Sequence, residues 1–250
     1  MKKNTIRIGF LNFQNGVNAN KGYWQYLLSF WKYHLPHSIK FIKNAKKDLE
    51  KLDVLGLSEV EFGSLSTGFV NYLNYISKTI NLKHKTFFPI YKISKIYNRG
   101  NAILTKHPIL KIKNFELSSI GKLRSLGQIA IKINKTKVNF FITHLALNSF
   151  DRKKQIDEIA RILKKIKKPS ILVGDFNTHK KSEFLPIIKS GLKIINKYKT
   201  YPSWNPKKTI DYMFLTKHFK LKKLIKYNKK LSDHLPVIAE LELKIFKTGS

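Results

Sequence analysis

The stretch that decides the fold is Ser170-Ile171-Leu172-Val173-Gly174-Asp175-Phe176-Asn177-Thr178. Its apolar, β-branched run reads as a buried strand, and Gly174 lets the chain turn sharply where that strand ends. Asp175 and Asn177 then stand two residues apart just past the strand. An acid and an amide in that position can orient a water or hold a phosphate oxygen beside a metal. Taken alone, the simpler reading is a strand-to-loop turn, because Asp and Asn side chains bond their own backbone. The balance changes when other strands in the chain end in the same way.

Upstream, Thr5 to Asn12 alternates as a strand does and stops at Asn12. Asp53 to Glu61 runs apolar into Glu59, with Glu61 two residues on, and Val138 to Leu145 carries His144 at its end. Downstream, Asp211 lies near the start of a strand from Thr209 to Leu215. Ser232-Asp233-His234-Leu235-Pro236 precedes an alternation from Val237 to Ile245. Leu126 to Ile133 and Thr86 to Tyr91 also read as strands. The polar turn Asn98-Arg99-Gly100-Asn101 feeds a strand from Ala102 to Thr105.

Helical spacing predicts helices over Ile39 to Leu52, Phe69 to Ile80, and Asp151 to Lys168, where Pro169 stops the last. Phe184 to Ile188 reads as a short helix. The segment from Gly22 to Pro36 is rich in aromatic residues, with Trp24, Leu27, Leu28 and Trp31 at helical spacing. Its periodicity favours a core helix over a stacking surface for bases or lipid. Lys220 to Lys230 is basic and reads as an exposed strand and turn. Helices fall between groups of strands, so two sheets packed face to face with helices outside would bury these runs. Neither a repeat nor a linker interrupts the pattern. Residues 1–247 are expected to form one domain, with Thr248-Gly249-Ser250 a tail or an added remnant.

The composition of the 250 residues allows a full core: 42% are hydrophobic, including 17 Phe and 11 Tyr. No apolar run reaches the roughly 18 residues of a membrane span. The N-terminus enters a strand directly without the apolar core of a signal peptide, so a cytoplasmic location is expected. The absence of cysteine excludes disulfides and thiolate metal sites, leaving oxygen and histidine as metal ligands. The net charge of +34 attracts polyanions, either nucleic acid or an anionic lipid surface. Only five of the cations are arginine, and the abundance of Lys, Ile and Asn also fits coding bias toward A and T.

Asn12, Glu59, His144 and Asp175 close apolar strands, while Asp211, Asp233 and His234 sit near strand starts. Layered sheets could gather them on one rim. Carboxylates collected there would repel one another unless a divalent cation offset them, and an oxygen-rich site suits Mg²⁺ or Mn²⁺.

The ordered set Leu11-Asn12, Leu57-Ser58-Glu59-Val60, Gly100-Asn101-Ala102-Ile103-Leu104, Thr143-His144-Leu145, Gly174-Asp175-Phe176-Asn177, Ile210-Asp211-Tyr212 and Ser232-Asp233-His234-Leu235-Pro236 resembles the endonuclease/exonuclease/phosphatase superfamily. Pancreatic deoxyribonuclease, AP endonucleases and neutral sphingomyelinases share that fold. The resemblance spans about residues 5 to 245. It implies an α/β (α+β) four-layer αββα sandwich of two mostly antiparallel sheets with outer helices, and a site at one sheet edge.

By that resemblance Glu59 is the principal metal ligand, with Asn12 beside it and Asp233 supporting. Asp175 orients and helps deprotonate the attacking water, and Asn177 holds a phosphate oxygen. His144 and His234 contact the phosphate, and Asp211 fixes the tautomer of His234. Arg99 and Asn101 are further candidates for phosphate contact, with a plain turn role the alternative.

Glu61 stands where AP endonucleases carry Lys, and the disulfides of the secreted deoxyribonucleases are missing. Thr143-His144-Leu145-Ala146-Leu147, Arg152, Gln155 and Thr200-Tyr201-Pro202-Ser203-Trp204 look more like the short bacterial and archaeal metal-dependent hydrolases of the group. The expected function is a Mg²⁺- or Mn²⁺-dependent phosphodiesterase, first a nuclease on DNA or RNA. The alternative is a sphingomyelinase-like enzyme acting on a lipid headgroup or small phosphoester. A non-catalytic basic module that binds nucleic acid is the third reading. A monomer is expected, and no protein partner is inferred.

Overall fold

Alternation of apolar side chains builds twelve strands in a computed structural model that describes residues 5–93 and 96–244. In chain order these are β1 (Thr5–Asn12), β2 (Val54–Glu61), β3 (His84–Ile93), β4 (Tyr97–Thr105), β5 (Ile109–Leu117) and β6 (Arg124–Ile133). Then follow β7 (Thr136–His144), β8 (Ser170–Asp175), β9 (Leu192–Ile194), β10 (Asp211–Thr216), β11 (Phe219–Lys226) and β12 (Val237–Leu243). The helices are α1 (Trp24–Leu28), α2 (Lys46–Leu49), α3 (Tyr72–Thr79), α4 (Ser149–Lys164) and α5 (Leu185–Lys189). The expected tail at 248–250 and the outermost residues of the 1–247 range lie outside the described residues.

The strands form two six-stranded sheets, β11-β12-β1-β2-β4-β3 and β5-β6-β7-β8-β10-β9. Each has one parallel pair at its centre, β1 with β2 and β7 with β8, and antiparallel pairs outside it. The period of two sorts side chains between layers. In β8, Ile171 and Val173 face the other sheet, while Leu172 faces α4 and α5. In β2, Val54 lies in the inter-sheet core, whereas Leu55 and Leu57 pack with Leu73 and Ile76 of α3. Three apolar layers therefore separate helices, sheet, sheet and helices. Each fully buried Ile or Phe in them contributes about 1.5–3 kcal/mol. This is the expected four-layer sandwich.

Two helical expectations change. Residues Ile39 to Leu52 do not form one α-helix: Lys40–Ala45 is a 3₁₀-helix that passes into α2. Positions 39, 42 and 45 repeat every three residues, which suits three residues per turn and still turns Ile42 and Ala45 inward. The Gly22 to Pro36 segment is not a core helix. It breaks into α1 and a 3₁₀ turn at Phe30–Tyr33, and neither contains a buried residue. Trp24, Leu27, Leu28 and Trp31 do share a face, but that face is exposed rather than covered by the sheet.

Gly174 also has a different reason from the one expected. It lies inside β8, and the chain turns only after Asp175. A Cβ at Gly174 would stand 2.4 Å from the Thr143 carbonyl oxygen, so glycine is needed for close approach of β8 to β7.

Candidate active site

Strand direction brings the site together. β1 and β2 run parallel and deliver Asn12 and Glu59 to one end of their sheet; β7 and β8 do the same for His144 and Asp175. β10 runs against β8 and starts at that end, with Asp211 directly opposite Asp175. β12 runs against β1, so the loop carrying Asp233 and His234 reaches the same rim. The buried Ser232 pins that loop by donating its hydroxyl to the Asn12 carbonyl at 2.6 Å and accepting from the His234 N–H at 2.9 Å.

Asn12, Glu59, His144, Asp175, Asp233 and His234 line a cleft of about 970 Å³, with Asp211 buried behind His234. β2 is irregular between Leu57 and Val60, and Glu59 adopts a left-handed conformation at φ 53°. Gln14, Asn15 and Asn177 in the cleft wall share that rare conformation. Side-chain-bearing residues held this way concentrate where a fixed geometry serves function.

Asn12 Nδ2 donates to Glu59 Oε1 and to Asp175 Oδ2, both at 3.1 Å, while its Oδ1 accepts the Gln14 N–H at 3.0 Å. Asn12 thus holds two carboxylates together through its nitrogen. The other Asp175 oxygen accepts the Asn177 N–H at 2.9 Å, and Asn177 Nδ2 donates to the Leu145 carbonyl at 2.9 Å. The turn and the site are the same object. His234 Nδ1 lies 2.9 Å from Asp211 Oδ2; its Nε2 faces Asp175 at 3.9 Å.

The two histidines differ in charge. Burial lowers the His144 pKa well below its usual value, and the cations of Arg124, His234 and Lys122 add to the effect. Its nearest carboxylate oxygens, on Asp175 and Glu59, are 3.7 and 3.9 Å away, too far to hydrogen-bond to its ring. Burial opposes charge on His234 as well, but Asp211 and Asp233 outweigh it and hold that ring protonated well above the usual range. Asp175 is pushed up to about 7 by burial and the charge of Asp211. Asp233 rises to about 6, chiefly by burial.

The expected phosphate contacts fare differently. Arg99 lines the cleft, but its Nε donates to Glu61 at 2.5 Å and another guanidinium nitrogen bonds the Tyr33 carbonyl. Glu61, which set the chain apart from AP endonucleases in the sequence, therefore anchors Arg99. Asn101 does not reach the cleft: it is fully buried on the inner face of β4 with Ile103, and neither of its amide atoms has a partner. Arg152 and Gln155 of α4 lock the loop after His144. Arg152 donates to the Leu147 carbonyl at 2.7 Å, and Gln155 accepts the Ala146 N–H at 2.9 Å.

Among the cleft residues that were not expected, three stand beside the acids and histidines. Asn15 donates to Glu59 at 3.4 Å; Tyr26 donates to Asp233 Oδ2 at 2.6 Å; Arg124 opens β6 with its Nε unpartnered. For Asn15 the available signal was its position three residues after Asn12. Tyr26 was masked by the core reading of its helix, and Arg124 by lying just before the clean alternation of β6.

The donor set fits a divalent cation. Asp233 Oδ1 is buried without a hydrogen-bond partner, and burial drives Asp175 and Asp233 toward neutrality, a condition that added positive charge relieves. Oxygens of Asp175 and Asp211 and a nitrogen of His234 also lie within 4.8 Å of one another. Within that group, however, His234 and Asp211 already satisfy each other. Glu59 and Asp233 are the oxygen donors with capacity to spare.

A profile of the Endonuclease/Exonuclease/phosphatase family matches residues 32–234. The chain belongs to that family, whose members are phosphoester hydrolases and generally depend on a divalent metal. Among solved structures, an endonuclease/exonuclease/phosphatase from Beutenbergia cavernae superposes with a TM-score of 0.74 at 19% identity, covering 96% of this chain and 72% of that one. A mannosyl-6-phosphatase from Bacteroides thetaiotaomicron gives 0.67 at 15% identity, with 94% and 99% covered. The human Nocturnin catalytic domain with bound sulfate gives 0.66 at 15%, with 97% and 96% covered. These likenesses establish the shared fold. No curated protein matches the chain.

Proposed function

We propose that the chain is a divalent-metal-dependent phosphodiesterase that cleaves a phosphorus–oxygen bond by attack of an activated water. The observation that carries this reading is the meeting of Glu59, His144, Asp175 and His234 in one cleft, with the buried Asp211 behind His234 holding its charge. Glu59 and Asp233 would hold Mg²⁺ or Mn²⁺, with Asn12 fixing the orientation of Glu59. The ion, when bound, would supply positive charge to the phosphate oxygens.

Asp175 takes the proton of the attacking water; burial and the charge of Asp211 raise its affinity for that proton above an ordinary carboxylate's. The His234 imidazolium donates from Nε2 to the phosphate, because Asp211 occupies Nδ1. His144 enters neutral and offers one N–H as a second donor. Asn177 holds the turn beneath Asp175, with its Nδ2 bonded to the Leu145 carbonyl. Arg124 adds an unpaired guanidinium N–H on the opposite wall.

Nucleic acid is the substrate favoured by the net charge of +34 and by the cleft cations Lys122, Arg124, Lys180 and Lys208. A lipid headgroup is the second reading, supported by the exposed aromatic helix beside the cleft. The test is a side-by-side assay of bis(4-nitrophenyl) phosphate, plasmid DNA, RNA, abasic duplex and sphingomyelin vesicles. Chelation should reduce turnover to background, and Mg²⁺ or Mn²⁺ should restore it. Turnover indifferent to chelator, or no turnover of any phosphodiester, contradicts the proposal.

A further inference from the structure

Among the described residues, no helix is long and apolar enough to cross a membrane. Yet large apolar side chains stand in the open on both sides of the cleft mouth. On one side Trp24, Leu27, Leu28, Phe30 and Trp31 are between 46% and 83% exposed. Their helix borders the cleft through Tyr26 and Tyr33. The apolar strip continues to Phe69 and Val70, because Gly68 packs against Pro36 at the end of the segment. On the other side Ile120, Leu123, Leu147 and Phe150 are between 60% and 78% exposed. Lys122, Arg124 and Leu147 place this second group at the cleft wall, and the Ile120 N–H bonds Asp151 at 2.8 Å, tying its two loops together.

Exposed apolar groups on this scale mark a surface that meets something else. Charge identifies the partner. No acidic residue occurs before Asp48, between Glu61 and Glu116, or between Glu116 and Asp151, and the two carboxylates that touch the second side, Asp151 and Glu158, are taken up by the Ile120 and Ser118 N–H groups. Lysines are interleaved with the aromatics instead: Lys32 lies 5.8 Å from the Trp31 ring centre, and Lys154 lies 4.1 Å from that of Phe150. Trp and Phe beside Lys, with Leu filling the apolar face, is the composition of a surface that rests in a lipid headgroup region.

Nucleic acid fits this surface less well. Leu27, Leu28, Ile120 and Leu147 have no flat face on which a base can stack, and a phosphate backbone gains nothing from burying them. A second copy of a chain with charge +34 would be repelled. We infer that the mouth of the cleft docks onto an anionic lipid bilayer, with α1 and the 120–123 and 147–150 loops entering the interface on either side of the site. This inference rests on the proposed phosphodiesterase reading and takes up its lipid-headgroup alternative, the substrate being a phosphoester presented at that surface. Tyr26 links the two, since its helix carries the exposed leucines while its hydroxyl bonds Asp233.

The test is vesicle co-sedimentation in chelator at about 0.1 M salt, where charges more than about 10 Å apart are screened. The full chain should partition onto phosphatidylglycerol/phosphatidylcholine vesicles and scarcely onto pure phosphatidylcholine. Leu27→Ser with Leu28→Ser, and separately Ile120→Ser with Phe150→Ser, should each weaken partitioning by about tenfold or more. All four side chains are exposed, so these variants should unfold at the wild-type temperature. Absence of partitioning overturns the inference. So does partitioning that the substitutions leave unchanged, which would be charge alone. So does a rim that loses single-stranded DNA binding without losing vesicles. Asp175→Asn should partition as the wild type does. Hydrolysis of a soluble diester by a chain that ignores vesicles would remove this inference while leaving the phosphodiesterase reading intact.

Discussion

Asp211 opens β10 and His234 lies in the loop before β12, yet they meet at 2.9 Å, both buried, with the imidazole Nδ1 directed at the carboxylate. Burial alone would strip the proton from His234, and Asp211 is the largest influence keeping it there. The pair works as a unit: the acid fixes the tautomer and sustains the charge, and Nε2 is left to face Asp175.

Replacing Asp211 with Asn removes that charge while preserving the shape. Turnover should fall by about 10²–10³, the usual cost of losing one charge-stabilising donor. The activity that remains should shift to lower pH, because the proton on His234 is then held less tightly. A pH–rate profile of Asp211→Asn beside the wild type checks both, and an unshifted profile would separate Asp211 from His234.

Gly174 should tolerate no side chain. Gly174→Ala sets a methyl group against the Thr143 carbonyl and should cost about 1–3 kcal/mol in urea unfolding, as overpacking does. Because β7 and β8 deliver His144 and Asp175 side by side, turnover should fall with stability. Stability equal to the wild type would show that the two strands do not require this close approach.

The Arg152–Glu183 pair supports the site from behind. Its Nε–Oε2 distance is 2.8 Å, with both side chains 8% exposed. Arg152→Met leaves the half-buried Glu183 carboxylate with only the Thr178 hydroxyl as side-chain hydrogen-bond partner and should cost about 1–3 kcal/mol. Burial pushes the Glu183 carboxyl up, but the Arg152 hydrogen bond and charge together outweigh it and set it below its ordinary 4.5. A depressed acid stabilises the fold above its unfolded pKa and loses that contribution as pH falls through the folded one. Denaturant titrations from pH 6 to pH 3 should therefore show a component of acid destabilisation that Glu183→Gln lacks. Parallel curves for the two proteins would contradict this.

Much of the fold was legible because strand and helix leave different periods in the sequence. The alternations at Thr5–Asn12 and Leu126–Ile133, and the helical spacing at 151–168, survive in β1, β6 and α4. β5 was missed because it is an edge strand whose lysines blur the alternation, a common device for keeping edges from pairing with other chains. The aromatic segment at 22–36 was misread because periodicity reports which residues share a face and says nothing about whether anything covers that face.

The residues at strand ends were legible for a similar reason, since a polar residue closing an apolar run is visible one strand at a time. What could not be read was which atoms meet. Asn101 was read as part of a polar turn, but residues 98–101 belong to β4, which carries it into the interior, whereas β1 ends on Asn12 and delivers it to the cleft. Tyr26 and Arg124 reach the site only through long-range packing.

The central claim is that Asp175 takes a proton from water in a cleft shared with Glu59, His144 and His234. Its most direct test is the turnover of Asp175→Asn with saturating Mn²⁺ on bis(4-nitrophenyl) phosphate. Turnover should fall by about 10²–10⁴, the range that a positioned base contributes, with Mn²⁺ affinity and unfolding temperature close to wild type. Turnover within a few-fold of wild type would contradict the account.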